Sequence, residues 1–290
     1  MHALVFRRFC HWTLAFCFNN AISQMGIPYV QLDNNDIWAG LDNLNRYDSA
    51  LVLDDGFGIG ELKNLPPRNA YYAIDVHNNP EKHYLPHIGQ FSKIYCAQNE
   101  LGVKLLKSFS VESEWLPLAY DTIGWGYYPE HRTEWKRDVA YVASWSTQRR
   151  IEMRDLVKNM GGFTEISFRD EMAREFRASK VCLNDFGRQT NGKTCGDHIN
   201  ARTFEVMGTG SMLLTARPEI PDLDLMGFKD GVHLVLWDDV KDCMEKLDYY
   251  IKHDDEREAI AYAGQQKVLA EHTYKQRCEK ILGDMEVWHE

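Results

Sequence analysis

The sequence predicts an α/β protein built from two units that each contain a mainly parallel sheet, followed by a helical tail. Three observations support this fold class. Apolar runs alternate along the chain with segments of helical periodicity, as in successive βαβ units. The stretch 121–137 lacks periodicity and collects Gly, Pro and charged residues, so it separates two halves. Three helical segments then occupy the chain from residue 239 onwards.

The first half reads as strands joined by helices and loops. A strand at "HALVFRRF" leads to a helix over "WTLAFCFNNAISQMG", which Gly26 closes, and to a second strand at "IPYVQLD". The glycine-rich turn "DDGFGIGE" follows the third strand, and its G-x-G-x-G spacing differs from a dinucleotide fingerprint. The third strand is predicted at 48–55, and the remaining strands of this half are predicted at 69–79, 93–98 and 114–121.

A second series begins after the aperiodic stretch. The strand "DVAYVAS" precedes helices over "TQRRIEMRDLVKNMGG" and "RDEMAREFRAS" and the strand "KVCLND". A polar loop, "FGRQTNGKTCGDH", leads into "INARTFEVMGTGSMLLT", which we interpret as a helix that stops at Gly208 and passes into a strand. After a strand at 233–237, helices are predicted at 239–252, 254–271 and 273–285.

Composition excludes some classes of function. The chain of 290 residues fits two domains of about 100–200 residues each. Its net charge of −10 argues against a surface specialised for the phosphate backbone of nucleic acids, although a local basic groove is compatible with it. The seven cysteines lack metal-finger spacing, so we expect reduced thiols in a cytoplasmic protein. No stretch approaches the ~18–20 apolar residues of a membrane span.

Two strand ends in the second half are suited to an anion. The loop before "INARTFE" leads to a helix N-terminus, whose N–H groups and dipole favour a diphosphate, with Arg188 and Lys193 nearby. The segment "ASWSTQRR" offers Ser144, Arg149 and Arg150 at the start of another helix. The alternative for the second segment is a Ser/Thr N-cap with surface arginines.

Arg202 and Glu205 share one turn of the predicted helix. Glu205 lies about two turns into the helix, too far from the helix start to meet a phosphate, but its carboxylate can accept hydrogen bonds from the vicinal hydroxyls of a ribose. The alternative is an i,i+3 ion pair on a solvated helix face, worth about 0.2–0.5 kcal/mol.

The segment "DVHNNPEKHYLPH" holds the titratable side chains of the first half. Asp75 and His77 stand at the end of a strand, where open sheets bind ligands, and either can hold or relay a proton. His83 and His87 have helical spacing, but Pro86 lies between them, so the segment is a weak metal site. Arg7, Arg8 and His11 occupy a comparable position after the first strand, and their alternative is solvated charge.

Several segments together resemble one family. In order, "RDVAYVASWSTQRR", "ASKVCLND", "INARTFEVMGTGSMLLT", "FKDGVHLVLWDD" and "HDDEREAIAYAGQQKVLAEHTYKQR" are similar to the C-terminal half of CgeB-like glycosyltransferases of the group-1 type. The resemblance implies a GT-B architecture with two Rossmann-like domains facing across a cleft. It implies an acceptor domain at 1–125, a nucleotide-sugar donor domain at 138–272 and a final helix at 273–290 that can cross back to the first domain.

The resemblance also implies roles for single residues. Glu205 matches the family's ribose-binding glutamate, and Arg202 matches its accompanying arginine. Asp197 stands eight residues before Glu205, where related retaining enzymes carry the first glutamate of an E-x7-E pattern. Arg149 and Arg150 match the arginine-bearing start of the first helix in the donor domain.

The resulting hypothesis is a metal-independent glycosyltransferase, for hexosyl or pentosyl groups, that is retaining by family likeness. Its donor would be a nucleotide-diphosphate sugar, foremost a UDP-sugar, and it would need no other cofactor. If it inverts, Asp75 or His77 is the base to test, with Arg7, Arg8 and His11 on the acceptor side. The acceptor is left open among a glycan, a protein, a metabolite and a modified DNA base. A nucleotide-sugar epimerase and a catalytically silent nucleotide-sugar-binding module are the alternatives.

Overall fold

The chain divides into two units in this computed structural model. Unit 1 contains Met1–Pro117 and Tyr274–Glu290, and unit 2 contains Leu118–Thr273. The structure describes all residues except 7–13, 34–42, 55, 57–59, 127–134, 144–146, 167–168, 187–188, 191–192, 195–198 and 287–290, and it describes 189–190 and 193–194 by their backbone alone.

Unit 1 is built on a sheet of parallel strands. They are β1 (His2–Phe6), β2 (Tyr29–Leu32), β3 (Ser49–Leu53), β4 (Arg68–Ala73), β5 (Lys93–Cys96) and β6 (Glu114–Trp115). The order across the sheet is β2-β1-β3-β4-β5-β6, so it reverses at β1. In α/β proteins a parallel sheet is covered on both faces by other parts of the chain, mostly helices. This explains why every residue of the "SALVL" strand is buried.

The helices of unit 1 that precede unit 2 in sequence are mostly short. They are α1 (Leu14–Gln24), a 3₁₀ turn (Leu44–Arg46), α2 (Pro80–His83), α3 (Leu85–Ile88) and a π-helical segment (Asn99–Lys104) that continues as α4 (Leu105–Ser108). Gly26 follows α1 with a φ of 69°, a conformation that glycine adopts without strain, so it ends this helix as predicted.

Unit 2 contains a second parallel sheet. The strands of unit 2 are β7 (Arg137–Tyr141), β8 (Ser179–Asn184), β9 (Gln189–Thr190), β10 (Lys193–Thr194), β11 (Met212–Ala216) and β12 (Val235–Trp237). β9 and β10 pair with each other as a separate antiparallel ribbon, and the other four form the parallel sheet. The order of the parallel strands is β12-β11-β8-β7. Phe163 forms a parallel bridge with Ala140 of β7. Because β8 occupies one edge of β7, Phe163 extends the sheet at the other edge, and the order reverses at β7.

Helices complete unit 2. They are α5 (Gln148–Asn159), α6 (Arg169–Arg177), α7 (Ala201–Gly208), α8 (Asp222–Leu225), α9 (Val240–Lys252) and α10 (Asp254–Glu271).

The final helix, α11 (Tyr274–Asp284), belongs to unit 1 although it follows unit 2 in sequence. It packs against α1, where the Tyr274 ring meets the Phe18 ring edge-on at 5.2 Å between centroids. Its polar side chains bond to the same unit, because Arg277 donates from Nε to the Pro117 carbonyl oxygen at 2.8 Å and Asp284 accepts from the Tyr95 hydroxyl at 2.6 Å. Unit 1 therefore consists of two separate stretches of the chain.

The predicted α/β class with parallel sheets is confirmed, and two strands are much shorter than predicted. The strand expected at 69–79 ends at Ala73, because Asp75 has a left-handed φ of 53° that an extended strand does not allow. The strand expected at 114–121 is reduced to β6, because Pro117 has no N–H to donate to a ladder. Beyond the proline, Tyr120 pairs elsewhere and donates from its backbone N–H to the His272 carbonyl oxygen at 2.8 Å.

A substitution at Gly264 tests how closely α10 packs against the rest of unit 2. A methyl group at this position would lie 2.3 Å from the carbonyl oxygen of His233, which is backbone and cannot move aside cheaply. Alanine normally stabilises a helix interior by about 1 kcal/mol relative to glycine, but here we expect Gly264→Ala to cost about 1–3 kcal/mol through overpacking. Thermal melts of the variant should show a lower Tm.

Gly89→Ala is the matched control, because no heavy atom lies within 4 Å of the added methyl group. Its Tm should stay close to that of the parent chain. A Gly264→Ala protein as stable as the parent would contradict the close packing of α10.

Candidate functional site

The carboxyl ends of β7 and β8 form one edge of unit 2, at the point where the strand order reverses. Open α/β sheets bind ligands in the crevice beyond such a point, because the connections that follow the neighbouring strands diverge there. β7 ends at Tyr141, and Asp185 directly follows the end of β8. This edge is therefore the first candidate ligand site of unit 2.

Asp185 holds two arginines from the start of α5. Thr147 caps this helix by accepting from the Arg150 backbone N–H at 3.2 Å, which sets the first turn. Arg149 donates from Nε to Oδ2 of Asp185 at 2.9 Å and from Nη2 to Oδ1 at 2.7 Å. Arg150 donates from Nη2 to the Asp185 carbonyl oxygen at 2.8 Å. The side chain of Asp185 is 0% exposed, that of Arg150 7% and that of Arg149 44%.

These three groups leave a positive charge at the edge, since one carboxylate faces two guanidinium groups. A guanidinium has five N–H donors, and the contact with Asp185 engages Nε and Nη2 of Arg149. The half-exposed Arg149 can therefore contact an anion directly. The buried Arg150 contributes through its positive charge. Burial raises the pKa of Tyr141, and the charge of Asp185 acts in the same direction, so the hydroxyl beside the cluster stays neutral.

Two asparagines join the start of α7 to the same edge. Asn200 and Asn184 exchange side-chain amide hydrogen bonds, each at 3.2 Å. Asn200 also donates to the Asp185 carbonyl oxygen at 3.2 Å, and Asn184 donates to the Thr215 hydroxyl at 3.1 Å. Asn200 occupies the N-cap position but makes no side-chain capping bond. The Asn200 carbonyl oxygen accepts from the Thr203 backbone N–H at 3.2 Å, but the Asn200 side chain caps none of the first N–H groups of α7. A helix N-terminus without a side-chain cap can attract an anion.

Arg202 and Glu205 form an ion pair on α7, with 2.6 Å between Nη1 and Oε2. Their side chains are 18% and 13% exposed, so the pair is mostly buried rather than on a solvated helix face. The Arg202 guanidinium carbon lies 5.0 Å from the centre of the Phe176 ring and 5.7 Å from that of the Trp125 ring. Glu205 is therefore held by a cation that two aromatic rings confine.

Unit 1 has polar side chains at the corresponding edge of its own sheet. Asp54, after β3, accepts from the backbone N–H of Gly56 at 2.9 Å and of Ile74 at 3.1 Å, and from the Tyr84 hydroxyl at 2.7 Å. Burial raises the pKa of Tyr84, and the charge of Asp54 adds to the effect, so Tyr84 remains a neutral donor. Asp54 thereby ties the loop after β3 to the loop after β4.

Asp75 follows β4 and has a φ of 53°, in the left-handed region that residues other than glycine rarely adopt. Gln98, buried after β5, accepts from the Asp75 backbone N–H at 3.1 Å and donates to Asp75 Oδ1 at 3.2 Å. His77 lies half-buried on the same loop. Unusual backbone conformations of this kind occur preferentially at functional sites, where surrounding contacts enforce them.

The described residues cover part of the predicted site. Arg149 and Arg150 meet at Asp185, Arg202 meets Glu205, and Asp75 and His77 share one loop of unit 1. The backbone of Lys193 lies in β10, and its side chain is not described. The predicted site residues that fall outside the described residues are Arg7, Arg8, His11, Ser144, Arg188 and Asp197.

Sequence reasoning did not single out Asp54, Gln98, Asp185 and Asn200. Asp54, Gln98 and Asp185 carry the signal that identified Asp75, a polar residue directly after an apolar strand. Asn200 carries no such signal, because it contributes to the site through its hydrogen bonds with Asn184, which is 16 residues away in sequence.

Metal-ligating groups do not cluster in the described part of the chain, where no set of three or more His, Cys, Asp or Glu side chains could hold an ion. The helices described for this chain include none with the length and apolar character of a membrane span.

The comparisons with known proteins agree on the fold. A family model described as glycosyl transferase-like matches residues 127–283. A search of curated protein sequences finds no significant match. Among solved structures, Anabaena HepE in complex with UDP and glucose superposes with a TM-score of 0.65 at 10% identity, over 98% of this chain and 100% of that one.

Two further structures extend the likeness. An α-glucosyltransferase in complex with UDP-glucose and DNA containing an abasic site gives a TM-score of 0.65 at 10% identity, over 98% of both chains. WaaG, a glycosyltransferase involved in lipopolysaccharide biosynthesis, gives 0.58 at 11% identity, over 98% of this chain and 100% of that one. At these identities the likeness concerns the fold, and it confirms the predicted GT-B class.

Asp185→Asn tests the charge cluster of unit 2. The substitution keeps the shape of the side chain but removes the carboxylate that faces the buried Arg150. Arg150 keeps its bond to the Asp185 carbonyl oxygen but loses the negative charge that faces it. Removing one charge of a buried pair costs about 3–5 kcal/mol, so we expect a marked fall in Tm. Differential scanning calorimetry measures this fall.

The matched control is Asp155→Asn on α5, whose ion pair with Arg154 is exposed at the surface. Such pairs contribute about 0–1 kcal/mol, so the control should melt near the parent. Equal Tm values for Asp185→Asn and its control would contradict the buried cluster.

Proposed function

We propose that this chain, which belongs to the glycosyl transferase-like family, moves a sugar from a UDP-sugar to an acceptor. Family membership makes it a glycosyltransferase; the choice of UDP and the site residues are our proposal. The observation that carries the proposal is the cationic edge of unit 2, where Asp185 gathers Arg149 and Arg150 beside the start of α7. HepE and the α-glucosyltransferase, which share the fold, were solved with UDP or UDP-glucose.

We assign the diphosphate of the donor to this edge. Arg149 offers its exposed guanidinium, and the start of α7 offers backbone N–H groups and the positive end of the helix dipole. Ser144, Arg188 and Lys193 are assigned to the same diphosphate from their places in the sequence. Each charge-assisted contact of this kind contributes about 1.5–3 kcal/mol.

We assign the ribose to Glu205. Its carboxylate accepts hydrogen bonds, and the vicinal hydroxyls of a ribose donate them. Arg202 holds the carboxylate through Oε2, which leaves Oε1 for the ribose. Asp197, eight residues earlier, is assigned to the transferred sugar because of its spacing.

The proposed reaction transfers the sugar from the diphosphate oxygen to an acceptor oxygen. The bond from the anomeric carbon to the diphosphate oxygen breaks and a bond to the acceptor oxygen forms. With retention, the acceptor hydroxyl passes its proton to the departing diphosphate. Charge develops on the departing diphosphate, where Arg149 and the N–H groups of α7 can stabilise it electrostatically. We therefore propose a metal-independent reaction, with retention of anomeric configuration following from the family resemblance.

Asp75 and His77 are the groups of unit 1 that we propose for acceptor binding, and they are the candidate bases if the reaction inverts. The contacts from Gln98 support this role for Asp75, because a carboxylate used in proton transfer must be held in one orientation. We place Arg7, Arg8 and His11 on the acceptor side from sequence. The acceptor classes are a glycan, a protein, a metabolite and a modified DNA base, and a relative in fold was solved with DNA.

A screen of nucleotide-sugars by thermal shift tests the proposed function. A ligand of the native state raises the Tm, so a UDP-sugar should raise it more than sugars of other nucleotides do. Turnover of the best donor should then require an acceptor. Epimer formation from the donor alone would indicate the epimerase instead, and no shift with any nucleotide-sugar would contradict donor binding.

Glu205→Gln tests the ribose assignment. The substitution removes the charge that strengthens hydrogen bonds from the ribose, so we expect UDP to bind about 10–100-fold more weakly by calorimetry. Glu245→Gln is the matched control, because Glu245 is exposed on α9. Unchanged affinity of Glu205→Gln for UDP and other nucleoside diphosphates would refute the assignment.

A further inference from the structure

We propose that Trp125 and Phe176 are positioning residues that confine Arg202 against Glu205 and thereby give the donor site its preference for ribonucleotides over deoxyribonucleotides. The proposal rests on the ribose-binding role proposed for Glu205.

The two rings form one buried surface in unit 2. Trp125 and Phe176 are 3% and 1% exposed, and their rings stack with 5.9 Å between centroids and 9° between planes. The Arg202 guanidinium carbon lies within 6 Å of both centroids, the range in which a cation is attracted to an aromatic ring. Arg202 therefore has a fixed place that depends on both rings.

The place of Trp125 is fixed in turn by Asp121. Trp125 donates its backbone N–H to the Asp121 carbonyl oxygen at 3.0 Å, and Ile123 donates to Oδ1 of Asp121 at 3.1 Å. The buried Asp121 carboxylate also pairs with Arg169 at 3.2 Å, and the Arg169 guanidinium carbon lies 6.0 Å from the Trp125 ring centre. Trp125 thus stands on a turn that hydrogen bonds and an ion pair define.

The same turn contacts α7 at a second point. The Tyr120 ring lies so close to Gly208 that a methyl group there would be 2.3 Å from it. The Tyr120 hydroxyl donates to the Gly126 carbonyl oxygen at 2.7 Å, which ties the ends of the segment 120–126 together. This segment therefore packs against α7 at two points, Gly208 and Arg202.

The contact with Arg202 sets the direction in which Glu205 presents its second carboxylate oxygen. Arg202 engages Oε2 at 2.6 Å, and a carboxylate held through one oxygen presents the other in a defined direction. An ordered acceptor gains more from the ribose hydroxyls than a mobile one, because binding does not have to order it. The 2′-hydroxyl, which deoxyribonucleotides lack, is one of these donors, so loosening Arg202 should reduce discrimination at that position.

The test compares the Kd of UDP with that of 2′-deoxy-UDP, by calorimetry, in the parent chain, Trp125→Leu and Trp125→Phe. We expect the parent to prefer UDP by about tenfold, the effect of one hydrogen bond to a charged group. Trp125→Leu should lose most of this preference through weaker UDP binding, with 2′-deoxy-UDP little affected. Trp125→Phe, which keeps an aromatic face, should retain it. Leu247→Ala, which truncates a buried side chain of α9, is the control for lost packing and should leave the preference unchanged.

A parent chain that binds both nucleotides equally would overturn this proposal, whereas unchanged affinity of Glu205→Gln for UDP would overturn the ribose-binding role on which it rests. A parent with the preference and a Trp125→Leu protein that keeps it, or that loses both affinities equally, would overturn the positioning role alone. If Trp125→Leu does not fold, Arg202→Lys decides the matter, because it keeps the charge but removes the planar contact with both rings. We expect the preference to fall in that variant too, and its persistence would refute the proposal.

Discussion

The buried carboxylate of Asp185 is the constraint on which the candidate site of unit 2 depends. It fixes the start of α5 through Arg149 and Arg150, and the carbonyl of the same residue accepts from Asn200 at the start of α7. Two helix starts are thereby joined to one strand end. Burying such charges is costly, and a buried ion pair seldom adds net stability. We infer that the cluster is kept for what it positions, which is an exposed guanidinium beside the start of α7, a helix N-terminus without a side-chain cap.

The two units use the edges of their sheets in a related way. Covering layers on both faces of a parallel sheet leave the carboxyl ends of the strands as the natural place for polar side chains that serve a ligand. In unit 1, Asp54 and Gln98 hold the loop that carries Asp75 in its left-handed conformation. In unit 2, Asp185 and Asn184 hold α5 and α7. In both units a buried polar residue restrains a more accessible one, which suits sites that must be in place before a ligand arrives.

Much of this could be read from the sequence, because periodicity and strand ends are local patterns. The alternation of apolar runs predicted the parallel sheets, and the strand-end rule led to Asp75. The limits arise where contacts are distant in sequence. Helical spacing places Arg150, but not Arg149, on the same face as the apolar Met153 and Val157, and all three are buried. That both arginines meet at Asp185, 35 residues or more away in sequence, has no local signal. The confinement of Arg202 by Trp125 joins a turn before β7 to a helix after β8, and no local pattern encodes that meeting. Pro117 is the opposite case, because its effect is local. Proline has no N–H to donate to a strand ladder, so this one residue shortened a predicted strand.

A crystal structure of the chain with UDP tests the central claim most directly. We expect the diphosphate to lie within hydrogen-bonding distance of the Arg149 guanidinium and the first backbone N–H groups of α7. We also expect that a ribose hydroxyl donates to Glu205, whose contact with Arg202 persists. UDP bound away from the edge formed by β7 and β8, or bound there with Glu205 directed away from the ribose, would contradict the claim.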